Sequence, residues 1–171
     1  LAKHTNISAV GTFNAVFGSL TFTRNNSTNK SCEGGGYGVS CGGTAPNDPR
    51  LYAHELGHTF NAVIVNSGNS SSPYSDLRNA AITDDAGNWV TGSHNGVFDR
   101  TFLGYQGEKS PFVYHGKNWD DWNSPNEDFA DMFMNWTFNS FDYSSRALGA
   151  GAARYAWMET NMSTWISQAS R

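Results

Sequence analysis

The segment Asp48-Pro49-Arg50-Leu51-Tyr52-Ala53-His54-Glu55-Leu56-Gly57-His58-Thr59-Phe60-Asn61-Ala62-Val63-Ile64-Val65 holds two histidines four positions apart, with a glutamate directly after the first histidine. On a helix, residues four apart lie on one face, one turn above the other. His54 and His58 therefore project side by side, as two imidazoles must in order to bind one metal ion. Glu55 stands about 100° further round the helix, where its carboxylate can reach a water molecule on that ion.

The same segment carries the signals of a helix that packs on one side. Asp48 is a good N-cap residue, and Pro49 suits the first helical position. The face opposite the histidines is apolar and consists of Tyr52, Leu56, Phe60, Val63 and Ile64. Two histidines and a glutamate at this spacing on a helix are the pattern of zinc peptidases. The alternative is a chance match with both histidines solvated, which the cap and the apolar face disfavour.

A zinc site of this kind needs a third protein ligand. In the metzincin pattern, a glycine and a third histidine follow on the same stretch. Here Asn61 and Ile64 occupy those positions, so that pattern is excluded. The other histidines of the chain are His4, His94 and His115.

The segment Ser124-Pro125-Asn126-Glu127-Asp128-Phe129-Ala130-Asp131 predicts a second helix, which starts at Ser124 and Pro125. One broad face of this helix is aromatic and consists of Phe129, Phe133 and Trp136. Glu127 and Asp131 are four apart and share the other face. Ser124 and Glu127 also match a capping box, in which the glutamate only caps its own helix.

Together the two segments resemble the motifs of the gluzincins, the thermolysin-like clan of zinc peptidases. In that clan a glutamate ligand is followed four residues later by an aspartate. The resemblance implies that Glu127 is the third zinc ligand, and we favour this role over the helix cap. It also implies that Asp131 accepts a hydrogen bond from the far nitrogen of a zinc-bound histidine, which we expect to be His54, and so fixes its tautomer and ring angle.

The resemblance further implies a zincin-like α+β fold. We expect one catalytic domain over residues 1–171, with a small N-terminal mixed sheet, the zinc helix and a mainly helical C-terminal part. A first helix is expected near 6–20, a strand over 20–23 and a last helix over 146–168. Residues 80–91 predict a hairpin.

In gluzincins, the strand before the zinc helix is the sheet edge that pairs with the substrate. By that resemblance, residues 36–40 are expected to form this strand, with Gly36, Tyr37, Gly38 and Val39 binding the substrate. The alternative is a glycine-rich disulfide loop, because repeated glycine weakens a strand.

Cys32 and Cys41 are the only cysteines in the chain, and they lack the spacing of a metal site. A disulfide between them would close a short loop and stabilise the fold by roughly 2–3 kcal/mol. The alternative is two buried free thiols, and we favour the disulfide.

Gluzincins also place a tyrosine or histidine where it can donate a hydrogen bond to the developing oxyanion. The resemblance points to Tyr114 or His115, with Tyr105 and His94 further back, in the aromatic stretch 93–123. Tyr114 is favoured slightly, since a neutral phenol can always donate. The alternative is that both residues only pack in the wall of a cleft.

The composition points to a protein outside the cell. The chain of 171 residues has a net charge of −4 and no cluster of Lys and Arg, so we expect it to bind neither nucleic acid nor an anionic membrane surface. Charged residues make up 15% of the chain, below the roughly 25% usual for soluble domains. No apolar run is long enough to span a membrane. We expect a secreted, mature form that is monomeric.

These observations predict a secreted zinc metalloendopeptidase with one zinc ion per chain, a glutamate general base (Glu55), and a peptide or protein as its partner. Calcium is not expected, because Asp84, Asp85 and Asn88 suit a turn better than an ion site. The alternatives are a zinc amidase that acts on a cell-wall peptide or another non-protein substrate, and a zinc-binding module without catalysis.

Overall fold

In a computed structural model of the chain, the described residues are 9–36, 38–83, 87, 89–94, 97–99, 125–141 and 150–169. They form a mixed α+β structure, as predicted. The chain groups into two compact units, one of residues 1–72 with 161–171 and the other of residues 73–160. The expectation of a single domain stays a prediction.

The described helices and strands follow in this order: α1 (Ala9–Phe17), β1 (Thr21–Arg24), β2 (Cys32–Gly35), β3 (Gly38–Cys41), α2 (Pro49–Asn66), α3 (Pro73–Asn79), β4 (Ala81–Thr83), β5 (Trp89–His94), β6 (Val97–Asp99), α4 (Pro125–Phe138) and α5 (Ala150–Ala169). The predicted first helix, first strand and last helix are found among these elements, and the predicted starts of both helices lie outside the described residues. Among the described residues, no helix combines the length and apolar character needed to cross a membrane.

The first unit contains a small mixed sheet with the strand order β1-β3-β2. β1 runs parallel to β3, and β2 runs antiparallel to it. Cys32 and Cys41 lie directly opposite each other on β2 and β3, and their sulfur atoms are bonded. The predicted N-terminal mixed sheet and the predicted disulfide are both confirmed.

The strand order corrects one prediction. β3 lies in the centre of the sheet, where its backbone pairs with β1 on one side and β2 on the other. A strand paired on both sides has no free backbone groups to offer an extended substrate. The prediction that residues 36–40 form a sheet edge is therefore wrong for the described residues 38–40, whereas substrate binding by Gly36, Tyr37, Gly38 and Val39 stays a prediction.

Helix α2 begins as its sequence predicts. Asp48 is the N-cap, its carboxylate accepts a hydrogen bond from the backbone N–H of Arg50, and Pro49 takes the first helical position. This arrangement satisfies one of the backbone donors that every helix leaves open at its N-terminus. The cap thus fixes the residue at which α2 begins.

The sides of α2 are not buried as a simple amphipathic pattern predicts. Phe60 is buried, but Tyr52 and Leu56 on the same predicted apolar face are only half-buried. β2 and β3 pack against the side that carries Glu55 and Thr59, and both of these polar residues are buried. The sheet thus covers a polar side of the helix.

The second unit contains a second sheet, which the sequence did not predict in full. Its order is β4-β5-β6 and both pairings are antiparallel. Ala81 pairs with Gly92, so the predicted hairpin is confirmed. The described residues after α2 contain three helices and these three short strands, and the predicted hairpin supplies two of the strands. Helix α3 packs against α4, with the ring of Tyr74 5.7 Å from that of Phe129.

Candidate metal centre

Helix α2 presents His54 and His58 as a pair. The Nε2 atoms of the two rings lie 3.2 Å apart, and the ring planes are at 81° to each other. His54 is completely buried and His58 is half-buried. Because the two residues are one helical turn apart, the backbone of α2 places both rings on one face, within reach of each other.

The spacing of the two nitrogens fits a tetrahedral metal ion. Zn–N bonds of about 2.0–2.1 Å at a tetrahedral angle separate two nitrogens by about 3.3 Å. The observed separation of 3.2 Å is close to that value. An N–H···N hydrogen bond between the rings would have a similar length. The distance therefore fits a metal site, and a third ligand distinguishes such a site from a hydrogen-bonded pair of rings.

Glu127 supplies that further ligand. One ligand atom from each of His54, His58 and Glu127 lies within 4.8 Å of the others, so the three residues form a group that could hold a metal ion. The glutamate is half-buried, and its Oε2 atom is shielded from solvent. The structure therefore brings together the three residues that the sequence predicts as ligands.

Helix α4 places Glu127 in its first turn, and its aromatic face packs as predicted. Phe129, Phe133 and Trp136 are buried, with the rings of Phe129 and Phe133 6.1 Å apart. Asp131, one turn after Glu127, is only 3% exposed. Its predicted hydrogen bond to a ligand histidine stays a prediction. Ser124, the other half of the alternative capping box, lies outside the described residues.

Glu55 lies on α2 beside His54, and it is only 2% exposed. Burial of a carboxylate is unfavourable unless the protein surrounds it with compensating groups. A buried glutamate next to a candidate metal ligand is therefore a functional candidate and not a solubilising surface residue.

Sequence reasoning missed other buried polar residues. Asp128 in α4 and Arg154 in α5 are fully buried, as is Thr59 in α2. Helical periodicity could not single them out, because each is a polar residue among many in its helix. The contact of Gly34 with α2 was also missed, since a contact across 21 residues leaves no local pattern.

Several predicted site residues lie outside the described part of the chain. These are Tyr37, Tyr105, Tyr114 and His115, together with the calcium candidates Asp84, Asp85 and Asn88. His94 ends β5, but its side chain is not described. The identity of the oxyanion donor and the absence of calcium therefore stay predictions.

No protein-family model, no curated protein and no solved structure matches this chain. The function proposed below therefore depends on the residues of the site itself.

Proposed function

We propose that the protein is a secreted zinc-dependent metalloendopeptidase. The observation that carries this proposal is the group of His54, His58 and Glu127, whose ligand atoms lie within 4.8 Å of one another. Beside it, Glu55 is a buried carboxylate on the same helix as the two histidines. The resemblance of both motifs to those of gluzincins gives the reaction class.

The donor set favours a catalytic zinc ion over a structural one. Two histidines and one glutamate are typical of catalytic zinc sites, which keep the fourth position open. Structural zinc sites usually fill all four positions with Cys and His. The two cysteines of this chain are bonded to each other, so neither can serve as a ligand. This observation disfavours a zinc-binding module without catalysis.

When bound, zinc would act as a Lewis acid that polarises the scissile carbonyl and makes a water molecule more acidic. Glu55 would accept a proton from the attacking water and deliver it to the leaving amine. The burial of Glu55 suits this role, because its carboxylate is held away from bulk solvent.

Asp131 would orient one of the ligand histidines. The Nε2 atoms of His54 and His58 face each other, so Nδ1 is the nitrogen of each ring that remains for an outer partner. A carboxylate on that nitrogen fixes the tautomer and the ring angle of a ligand histidine. We assign this role to Asp131 and His54, as the gluzincin motif implies. Tyr114 or His115 would donate to the oxyanion.

An extended substrate would pair with β2 and not with β3. In the sheet of the first unit, β2 is an end strand, so one of its sides is not paired with a described strand. β2 also packs against α2, the helix that carries the candidate base. An unpaired strand edge binds extended peptides through backbone hydrogen bonds. The disulfide agrees with an oxidising, extracellular location.

Metal analysis and peptide digestion of the purified protein test this proposal. We expect about one zinc per chain, cleavage of internal bonds in casein and in a peptide library, loss of cleavage with a chelator, and recovery when zinc is added. Activity on small amides or cell-wall peptides alone would indicate that the protein is an amidase and not an endopeptidase. Zinc binding without hydrolysis of any of these substrates would indicate a binding module.

A further inference from the structure

Strand β2 touches helix α2 at the backbone of Glu55. The contact is made by Gly34, which has no side chain to keep the two backbones apart. A Cβ atom on Gly34 would overlap the carbonyl oxygen of Glu55, and it would lie 2.7 Å from the carbonyl carbon and 3.0 Å from the Cα atom. Ordinary contacts between carbon atoms are about 3.5–4.0 Å. Only glycine allows the strand to lie this close to the helix.

The next glycine of the strand has no such contact. A Cβ atom on Gly35 would meet no heavy atom within 4 Å. Both residues lie in β2, and neither has a positive φ angle. The close approach of β2 to α2 is therefore confined to Gly34, and Gly34 faces the backbone of Glu55, the candidate general base.

Thr59 connects the same carbonyl group to the sheet. Its hydroxyl lies 3.1 Å from the carbonyl oxygen of Glu55 and 3.2 Å from the carbonyl oxygen of Gly38 in β3. A hydroxyl has one proton to donate, so it can serve either acceptor. Thr59 is completely buried, which excludes water as a competing partner.

We propose that Gly34 and Thr59 are positioning residues for Glu55. The hairpin of β2 and β3 sets the position of the Glu55 backbone through these two contacts, and the backbone in turn sets where the carboxylate reaches. This inference rests on the proposed function, in which Glu55 is the general base. In this role Gly34 and Thr59 act on Glu55 through its backbone and take no part in the proton transfer.

The substitution Gly34→Ala tests the proposal, with Gly35→Ala as the matched control. The added methyl in Gly34→Ala must push β2 and α2 apart at Glu55, whereas the same methyl in Gly35→Ala enters open space. A misplacement of about 1 Å can lower a rate by roughly 10²-fold. We expect Gly34→Ala to lower kcat by roughly 10–100-fold, with zinc content little changed. Both glycines lie in β2, so a methyl group can alter substrate pairing along that strand in either variant. The larger loss of kcat in Gly34→Ala than in Gly35→Ala therefore reports the contact with Glu55.

A merely structural role of Gly34 would give a different result. The melting temperature would fall, but kcat per folded, zinc-loaded molecule would equal that of the parent protein at temperatures well below melting. That outcome would overturn the proposal, as would an equal loss of kcat in Gly34→Ala and Gly35→Ala.

A second pair of variants covers the case in which Gly34→Ala does not fold. Thr59→Val removes the hydroxyl and keeps the shape, while Thr59→Ser keeps the hydroxyl. We expect Thr59→Val to lower kcat at unchanged zinc content, and Thr59→Ser to restore most of the parent rate. Equal rates for the two variants would contradict the role of Thr59.

Amide hydrogen exchange separates this inference from the proposed function. In Gly34→Ala, or in Thr59→Val if the former does not fold, exchange over residues 55–59 should be faster than in the parent protein, and in Gly35→Ala it should not. If the parent protein cleaves no peptide, the proposed function fails, but faster exchange would still show that these contacts hold the Glu55 backbone. Unchanged exchange would overturn the inference even in an active enzyme.

Discussion

Helices α2 and α4 both bury acidic side chains, but they are held in different ways. In α2, Glu55 lies where the helix backbone touches the sheet through Gly34. In α4, Asp131 follows Glu127 on a helix that packs through the ring of Phe129 and its aromatic neighbours. The comparison suggests that backbone contact positions the candidate base, whereas side-chain packing positions the carboxylate ligand. Substitutions in the two helices should therefore separate the reaction rate from metal binding.

The largest effect on activity is expected for Glu55→Gln in α2. The amide keeps the shape of the side chain and leaves all three ligands in place, so zinc should stay bound. Loss of the general base should lower kcat by roughly 10²–10⁴-fold. Parallel measurement of zinc content and peptide hydrolysis checks this prediction, and near-parental cleavage by Glu55→Gln would remove Glu55 from the mechanism.

The second-largest effect is expected for Glu127→Ala in α4, and the quantity that should change is the affinity for zinc. Loss of a residue that only hydrogen-bonds to a metal ligand typically weakens metal affinity by roughly 10–100-fold. Removal of one of the three protein ligands should weaken zinc affinity by more than this. Zinc titration against a competing chelator measures this change. Asn126→Ala is the matched control, because Asn126 is exposed in the same helical turn. Full zinc occupancy and activity in Glu127→Ala would mean that the glutamate is only a helix cap.

A milder effect on metal binding or activity is expected for Asp131→Ala. Loss of a carboxylate that orients a ligand histidine usually lowers metal affinity or activity by roughly 10–100-fold. Asp131→Asn keeps an acceptor oxygen and should lose less. The same chelator competition measures both variants. If the two variants bind zinc as the parent protein does, Asp131 does not support a ligand.

The smallest effect on activity is expected for removal of the disulfide by Cys32→Ser together with Cys41→Ser. The bridge lies across β2 and β3, away from the ligands in sequence, and the two strands also pair through their backbones. Stability should fall by roughly 2–3 kcal/mol on the loop-entropy model. Denaturant unfolding measures this loss, and kcat well below the melting temperature should stay near that of the parent protein. A large loss of kcat there would mean that the bridge also holds Glu55 in position.

The amino-acid sequence by itself determined the features that depend on short spacings. A helix over 49–66 follows from the Asp48 cap, Pro49 and the periodic apolar residues, and the four-residue spacing then places His54 and His58 side by side. With only two cysteines in the chain, there was one possible intramolecular disulfide. The helix and the histidine spacing are local, and two cysteines allow only one pair, so these features could be predicted without the rest of the fold.

Glu127 could be named from the sequence only through the resemblance of its motif to that of gluzincins. His58 and Glu127 are separated by 68 residues, from Thr59 to Asn126. A separation of this length does not predict that the carboxylate comes within 4.8 Å of the histidine nitrogens. This distance is a property of the tertiary structure and not of any local spacing.

Only the tertiary structure decided the order of the strands and the contact at Gly34. Register and pairing depend on a side-chain pattern that distinguishes the two faces of a strand, and a glycine-rich segment such as 34–38 has little of it. The central position of β3 is therefore set by hydrogen bonds to β1 and β2. The close approach of β2 to Glu55 arises in the same way, since it depends on the absence of a side chain opposite a helix that lies 21 residues further along the chain.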